Sequence, residues 1–433
     1  MITKEELNEL EKKYLANKKN IVLENALSSN ELKKVIKVPS AKQNTINKFS
    51  TNIKTLKVTD QFRSGRCWLF AGLNVIRESI AKKYNLEDFE LSRNYLSFYD
   101  KLEKANYYMD TIIKLGDKAW DSREIMWLET NGYSEGGTWT MFQNLVEKYG
   151  VVPKDAVTET FQALNSNQMI DLVYKTLKEF TYTVNSKNLN EKKKIKKQYL
   201  EKIYNFLTMC YGKMPKEFTF EYVDKDNNYH KINNMTPLRF YKECTDFKAN
   251  DYVCLLSIES NIKKYNTKYR VKYVNNMSGT EDTTYININI KDFKKAIKKQ
   301  LDDGEVVWFG CDCLPYLDRD KGTWDIKGYD YKTAFDIDLK AKKGDMLDYG
   351  ISAPNHAMVI TGYNKSPARW KIENSWGEKS GDKGYYVATD EWFDLYTYYA
   401  AVNKKYLNDE TKKLLDKKET ILNPWDPLGT LAK

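Results

Sequence analysis

The 433-residue sequence predicts an α+β protein built as two lobes, a helical half followed by a β-rich half. Apolar residues recur at helical spacing through the first half, whereas short β-branched and aromatic runs dominate after about residue 250. A chain of this length buries a large core, and two or three cooperating lobes are expected. The hydrophobic content of 41% and the ten tryptophans are typical of a globular enzyme.

The same patterns divide the chain into five segments. Thr3 and Glu6 form a capping box before Leu7 and Leu10, so the chain is expected to begin with a helix and not with a signal peptide. The predicted segments are an N-terminal extension over 1–55, a helical lobe over 56–164, a helical insertion over 165–250, a β-rich lobe over 251–405 and a C-terminal arm over 406–433.

The helical lobe is expected to start its main helix at Cys67. Apolar residues at i, i+4, i+7 and i+11 define one face of that helix, namely Leu69, Leu73, Ile76 and Ile80. A thiol at a helix N-terminus lies where unpaired N–H groups and the helix dipole favour the thiolate. Further helices are predicted over about residues 117–131, 139–149 and 165–210.

The later segments are predicted to be extended. Alternating aromatics at Phe218, Phe220 and Tyr222 indicate a hairpin, with His230 on its return strand at the surface. The last stretch, residues 423–433, contains two prolines and a glycine and is expected to be extended rather than helical. Strands are predicted over 252–258, 285–290, 306–311, 357–363 and 370–374.

The net charge of +10 comes from 70 basic and 60 acidic residues, which is mild for this length. A solvated lysine-rich surface is the simpler interpretation. A basic channel that binds nucleic acid is the alternative, although no RRM, KH, helix-turn-helix or zinc-finger signature accompanies the charge. No apolar run is long enough to predict a membrane span.

The six cysteines are sparse and irregular, unlike a disulfide framework, and are best explained as reduced thiols of a cytoplasmic protein. Cys311 and Cys313 are two residues apart on a predicted strand, so their side chains would share a face. No further Cys or His cluster supports a metal site there, and no metal or cofactor is predicted.

Four residues in a characteristic order predict a cysteine hydrolase. Cys67 comes early, His356 is one of only two histidines, and Asn374 follows it by 18 positions. Cys67 would supply the thiolate, His356 the proton shuttle and Asn374 the group that orients the imidazole. Gln61 could donate its side-chain N–H to the oxyanion beside the Cys67 backbone N–H. Transfer of the acyl group to an amine by the same set is an alternative to hydrolysis.

The sequence resembles bleomycin hydrolase and the bacterial aminopeptidase C group, a branch of the papain-like cysteine peptidases, over nearly the whole chain. Cys313 departs from the residue that this family places after Cys-Asp, and Pro315 is also unusual. The matching stretches are Gln61 to Trp68, Glu135 to Trp139, Lys148 to Pro153, Val307 to Asp312, Asn355 to Met358, Glu373 to Gly377 and Trp425 to Lys433.

The resemblance implies a papain-like core with a helical lobe, a β-barrel-like lobe and a hook-like helical insertion. It implies a broad-specificity aminopeptidase acting on peptides, with Gly136 and Gly137 binding the substrate backbone. It further implies a homohexamer with the active sites facing an inner channel. The C-terminal arm would lie in the cleft, where the carboxylate of Lys433 would meet the substrate α-ammonium.

Overall fold

The computed structural model describes residues 1–116, 118–339 and 341–433, and its mixed helices and strands confirm the predicted α+β class. The helices are α1 (Lys4–Ala16), α2 (Lys18–Leu27), α3 (Leu32–Val35), α4 (Cys67–Lys83), α5 (Arg93–Leu115), α6 (Arg123–Asn131), α7 (Trp139–Tyr149), α8 (Phe161–Leu164), α9 (Asn167–Val184), α10 (Leu189–Tyr211), α11 (Pro237–Cys244), α12 (Ile290–Asp302), α13 (Tyr331–Phe335), α14 (Lys343–Asp348), α15 (Asp390–Tyr396) and α16 (Asp409–Lys412). The strands are β1 (Thr51–Asn52), β2 (Phe218–Val223), β3 (Tyr229–Met235), β4 (Tyr252–Leu256), β5 (Thr267–Val271), β6 (Thr284–Asn287), β7 (Val307–Cys311), β8 (Leu317–Asp318), β9 (Thr323–Trp324), β10 (His356–Lys365), β11 (Ala368–Glu373), β12 (Tyr385–Thr389), β13 (Thr397–Asn403) and β14 (Thr420–Leu422).

One large mixed sheet carries the second half of the chain. Its strand order is β14-β5-β6-β4-β13-β7-β10-β11-β12-β9-β8, and β1 pairs with β10. β10 runs antiparallel to β11, with Val359 opposite Glu373. The start of β10 and the end of β11 therefore meet at the same end of the sheet, which brings His356 close to the residue that follows β11.

The helical lobe packs on this sheet through α4. Trp68, Leu69, Leu73 and Ile76 are fully buried in the core that α4 shares with α7 and with β4, β7 and β10. Gly72 lets α7 approach closely, because a Cβ atom there would lie 2.7 Å from the Phe142 ring. The close packing fixes the start of α4, and hence Cys67, against the sheet.

Several predicted boundaries differ from the observed ones. The helix predicted over 117–131 is α6, which begins at Arg123; Asp117 lies outside the described residues. The run over 165–210 is two helices, α9 and α10, because Asn188 and Glu191 form a capping box that starts α10. The second hairpin strand is β3, where Nε2 of His230 donates a hydrogen bond to the Asp224 carboxylate at 2.8 Å.

The last stretch is not fully extended as expected. Pro427–Ala432 forms a short 3-10 helix, because Pro427 suits its first turn and Asp426 accepts a hydrogen bond from the Leu428 N–H. Leu428 and Leu431 are buried in the same core as Trp68. The end of the chain is thus a packed part of the structure.

The N-terminal helices contrast with this packing. Neither α1 nor α2 contains a buried residue, and Leu7, Leu10 and Leu15 are exposed on α1. No helix in the described residues has the length and apolar content needed to cross a bilayer.

Candidate active site

Cys67 opens α4 at the floor of a cavity of about 560 Å³ between the helical lobe and the sheet. Of the residues singled out in the sequence, Gln61, Cys67, Gly136, His356 and Lys433 all line this cavity. Asn374 reaches it only through His356. The remaining lining residues are Gly65, Tyr133, Ser134, Glu135, Asn167, Ile170, Asp171, Asn355, Thr430 and Leu431.

Asn374 fixes the orientation and the tautomer of the imidazole. Its Oδ1 lies 2.8 Å from Nε2 of His356, and both side chains are buried. An amide oxygen can only accept, so Nε2 carries the proton and Nδ1 is left as the acceptor. The Ser375 backbone N–H donates to the same Oδ1 at 2.8 Å and so fixes the amide. Trp376 stacks on the imidazole with 4.9 Å between ring centroids and shields this pair from water.

Burial controls the protonation of both reacting groups. It raises the pKa of the Cys67 thiol to about 11, against the opposing effect of hydrogen bonds from the backbone N–H groups of Ala357 and Trp68. It also lowers the pKa of His356 to about 4. Desolvation thus opposes the thiolate that the helix start favours, and it opposes the imidazolium in the same way.

Gln61 is held on three sides at the edge of the cavity. Its Nε2 donates to the Ser64 carbonyl at 2.7 Å, and its Oε1 accepts from Ser375 Oγ at 2.6 Å. Its backbone N–H donates to the Ser375 carbonyl at 2.9 Å. Since an amide nitrogen carries two hydrogens, the second N–H of Nε2 is available to a ligand.

The two glycines of the predicted substrate-binding pair have different surroundings. A Cβ atom on Gly136 would lie 2.3 Å from the Leu431 carbonyl oxygen and 2.8 Å from that of Lys433, so Gly136 borders the chain end. A Cβ atom on Gly137 would lie 2.3 Å from the Trp68 indole, and Gly137 does not line the cavity. Gly136 therefore sits at the cleft surface, whereas Gly137 allows the wall to pack on the helix that carries Cys67.

The C-terminal residues occupy one side of the cleft. Ser134 Oγ donates to the Ala432 carbonyl at 2.6 Å, and Thr430 Oγ1 donates to the Pro354 carbonyl at 2.7 Å. The Lys433 ammonium lies 5.6 Å from the centre of the Trp127 ring. The last residues are thereby held beside Cys67 and His356 by contacts from both lobes.

A buried lysine that the sequence did not single out supports the wall of the cleft. Lys104 Nζ donates to the carbonyls of Ser134 at 3.1 Å and Gly136 at 2.5 Å, and pairs with Asp100 at 2.9 Å. Burial lowers its pKa to about 8. Asp100 and Lys104 are four residues apart on α5, a spacing that normally indicates an exposed helix pair. Only the tertiary structure shows that they are interior.

A second unforeseen group anchors the loop that precedes His356. The buried carboxylate of Asp312 accepts from Asn355 Nδ2 at 2.5 Å and from Ser352 Oγ at 2.8 Å. Cys313, which departs from the residue expected at this position, donates its backbone N–H to Asn355 Oδ1 at 3.0 Å. The substitution at Cys313 is therefore accommodated without loss of the contacts that hold Asn355.

Comparisons with known proteins agree along the whole chain. The Peptidase C1-like family matches residues 1–429. The chain is 38% identical over 437 residues to aminopeptidase C of Listeria innocua, covering 100% of this chain and 99% of that protein. It is 38% identical over 394 residues to bleomycin hydrolase of Mus musculus, covering 87% of this chain and 86% of that protein. The crystal structure of pepW from Lactobacillus rhamnosis HN001 superposes with a TM-score of 0.96 at 36% identity and covers 99% of both chains.

Proposed function

The chain belongs to the Peptidase C1-like family and is a papain-like cysteine-type aminopeptidase, and we propose that Cys67, His356, Asn374 and Gln61 perform its chemistry. The observation that carries this assignment is the 2.8 Å contact between His356 Nε2 and Asn374 Oδ1, which leaves Nδ1 as the base in a cavity that also contains Cys67. The substrates are peptides with free N-termini, and the specificity is broad.

The reaction follows from this arrangement in two halves. Cys67 Sγ attacks the carbonyl carbon of the first peptide bond while His356 Nδ1 takes the thiol proton. The oxyanion that forms accepts from the free N–H of Gln61 Nε2 and from the Cys67 backbone N–H. Collapse of this intermediate breaks the C–N bond, and Nδ1 returns the proton to the departing amine. Water then attacks the thioester with Nδ1 as base, which releases the amino acid and restores the thiol.

The chain end is proposed to make the enzyme an exopeptidase. The terminal carboxylate of Lys433 would pair with the substrate α-ammonium, since one of its oxygens borders Gly136 and the residue lines the cavity with Cys67. A longer acyl segment would collide with Leu431 and Ala432. Gly136 contributes to substrate binding by leaving this approach open, and Gly137 by positioning the wall.

The test compares free and N-blocked aminoacyl fluorogenic substrates. Cys67→Ala is expected to abolish turnover of free aminoacyl substrates, and Cys210→Ala, at a half-buried thiol of α10, is the matched control expected to keep it. Retention of more than a few per cent of activity in Cys67→Ala, with a folded protein, would contradict the nucleophile assignment.

The assembly and the location are also proposed from the family. Six copies are proposed to form a closed homohexamer, and the exposed apolar residues of α1 support a partner surface there. The six free cysteines support a reducing, cytoplasmic compartment. The division into an extension, two lobes, an insertion and an arm remains part of this proposal. Acyl transfer and nucleic-acid binding are favoured by no contact in the described residues and are not proposed.

A further inference from the structure

An arginine on a short hairpin reaches the active-site histidine through a tryptophan. Arg319 lies between β8 and β9, and its guanidinium carbon is 4.7 Å from the centre of the Trp376 ring. The same indole stacks on His356 at 4.9 Å. Arg319, Trp376 and His356 therefore form a continuous series of stacked groups that leads outward from the catalytic imidazole.

The guanidinium of Arg319 stacks on Trp376 but has no acidic partner among the residues that the structure describes. Its side chain is exposed, and among the described residues no carboxylate lies within ion-pair distance of it. The preceding Asp318 pairs with Lys37 and accepts the Lys321 N–H, and the following Asp320 makes no ion pair with it. A planar guanidinium with a complete set of free donors binds a carboxylate in preference to other groups.

Arg319 lies on the side of His356 toward which the departing half of the substrate is expected to extend. The cavity occupied by the chain end is lined by Thr430, Leu431 and Lys433 but by neither Trp376 nor Arg319. In the proposed function the N-terminal residue faces the chain end, while the departing amine takes its proton from His356. The departing peptide must extend from His356 away from the chain end.

The distance between the His356 imidazole and the Arg319 guanidinium sets the length of departing peptide that can reach Arg319. The two ring separations together put the guanidinium within about 10 Å of the imidazole, the reach of two to three residues at about 3.5 Å each. We propose that Arg319 binds a carboxylate of the departing segment, so that the enzyme prefers very short peptides with a free C-terminus or substrates with an acidic residue beyond the cleaved bond. This inference rests on the proposed function, because it uses the direction in which the substrate lies.

The test measures kcat/KM for pairs of substrates that differ only in one carboxylate. Ala-Ala-Ala with a free C-terminus is compared with its C-terminal amide, and Ala-Glu-amide with Ala-Gln-amide, which separates the terminal carboxylate from an acidic side chain. For the wild-type enzyme we expect kcat/KM to be about threefold to tenfold higher for the charged member of at least one pair. This range corresponds to an interaction stronger than an exposed ion pair and weaker than a buried bidentate one. Arg319→Ala is expected to bring that ratio close to one, mainly through KM.

The controls distinguish binding from indirect effects. Arg239→Ala removes the same charge from an exposed pair on α11 and is expected to keep the wild-type ratio. Arg319→Lys keeps the charge but not the planar fork and is expected to give an intermediate ratio. The wild-type ratio should also fall as salt is added, because the pair is partly exposed.

The proposal is overturned if the wild type shows no preference in either pair or if Arg319→Ala retains it. It is also overturned if Arg319→Ala shifts the pH profiles of charged and amidated substrates equally with unchanged ratios, since Arg319 would then act only on His356. Failure of the wild type to cleave any of the four peptides would instead contradict the proposed function. Each variant is compared within its own substrate pairs, so a partly unfolded sample does not change the ratio.

Discussion

His356 is buried, and no carboxylate of the described residues lies beside it to stabilise its charged form, which has a consequence for stability. Burial lowers its pKa to about 4, from an ordinary value of about 6.5. Between these two values the unfolded chain takes up a proton that the folded protein does not. Stability is therefore lost as the pH falls from about 6.5 to about 4, by about 3 kcal/mol in total for this one group.

The contribution of His356 to the pH dependence of the unfolding free energy can be isolated by substitution. We expect the unfolding free energy of the wild type to fall between about pH 7 and about pH 5 by about 2 kcal/mol more than that of His356→Gln, because the variant lacks the titrating group. Urea unfolding at the two pH values measures this difference. Equal losses in the two proteins would show that folding does not lower the pKa of this imidazole.

Gln61 offers a second test at the scale of one side chain. Gln61→Ala removes the proposed oxyanion donor and is expected to raise the barrier by about 2.7–4 kcal/mol, seen as a lower kcat. Ser64→Ala is the matched control, because it removes the hydroxyl that donates to the Gln61 carbonyl but leaves the Nε2 donor in place. Asn374→Ala is expected to lower kcat less than the loss of Cys67 or His356 does, since Asn374 only orients the imidazole ring. A normal kcat in Gln61→Ala would assign the oxyanion to other donors.

The residues that could be recognised in the sequence are those whose chemistry needs a fixed type. Cys67, His356, Asn374 and Gln61 stand in motifs with a fixed order. The structure brings Gln61, Cys67 and His356 to one cavity and places Asn374 behind His356, at the end of β11. Lys104, Asp312 and Arg319 were not predicted. A charged residue in a helix or loop is usually solvated, and only long-range packing decides that the first two are buried.

At the scale of elements, the wall from Ser134 to Gly136 joins the nucleophile to the chain end. Trp68 Nε1 donates to the Glu135 carbonyl at 2.7 Å, and Ser134 holds Ala432. On the buried side of this wall, Lys104 donates hydrogen bonds to the carbonyls of Ser134 and Gly136. A loop held on both faces by buried donors keeps its backbone in one conformation without regular secondary structure.

Removal of the buried ammonium should therefore be costly. Lys104→Met leaves two carbonyls without this donor, while Asp100 keeps Lys101 as an ion-pair partner at 3.0 Å, and we expect a loss of about 2–3 kcal/mol in unfolding free energy, measured with urea. Lys13→Met is the matched control, because Lys13 and Glu9 form a pair of the same spacing on exposed α1 and should change stability by less than about 1 kcal/mol. Similar losses of unfolding free energy in both variants would mean that the buried ammonium stabilises the protein no more than an exposed one does.

The chain end can be tested as an element of its own. Deletion of Thr430 to Lys433 removes the arm from the cleft, so we expect weaker cleavage of free aminoacyl substrates and new cleavage of N-blocked or internal bonds. Lys433→Ala is the matched control, because it keeps the terminal carboxylate where it is and should largely retain exopeptidase activity. An unchanged preference for free N-termini after the deletion would show that this selectivity arises elsewhere.

Element boundaries were predicted less well than element types. The helix at Cys67 follows from helical periodicity, and the strand at His356 follows from a continuous apolar run. The break between α9 and α10, and the 3-10 helix at Pro427–Ala432, depend on local capping that competes with the broader pattern. The two prolines and the glycine of the C-terminal arm were therefore not enough to distinguish an extended segment from a short 3-10 helix.

At the scale of the whole molecule, the exposed N-terminal helices are the feature that a single chain leaves unexplained. If six copies associate, light scattering at micromolar concentration should give six times the 50.8 kDa chain mass. Replacing Leu7, Leu10 and Leu15 with serine should lower that mass if α1 lies in an interface. Replacing the exposed Lys4, Lys12 and Lys13 with serine is the matched control. A stable wild-type monomer would rule out the assembly.

The burial of Leu428 and Leu431 also bears on the order in which the site is built. Synthesis completes the segments that carry Cys67, His356 and Asn374 before it adds these two leucines, so the arm can dock only on a cleft whose other walls already exist. Under the proposed function, the uncovered cleft of that intermediate would accept internal peptide bonds. Docking of the two leucines into the core would then complete the fold and the selectivity for free N-termini in one step.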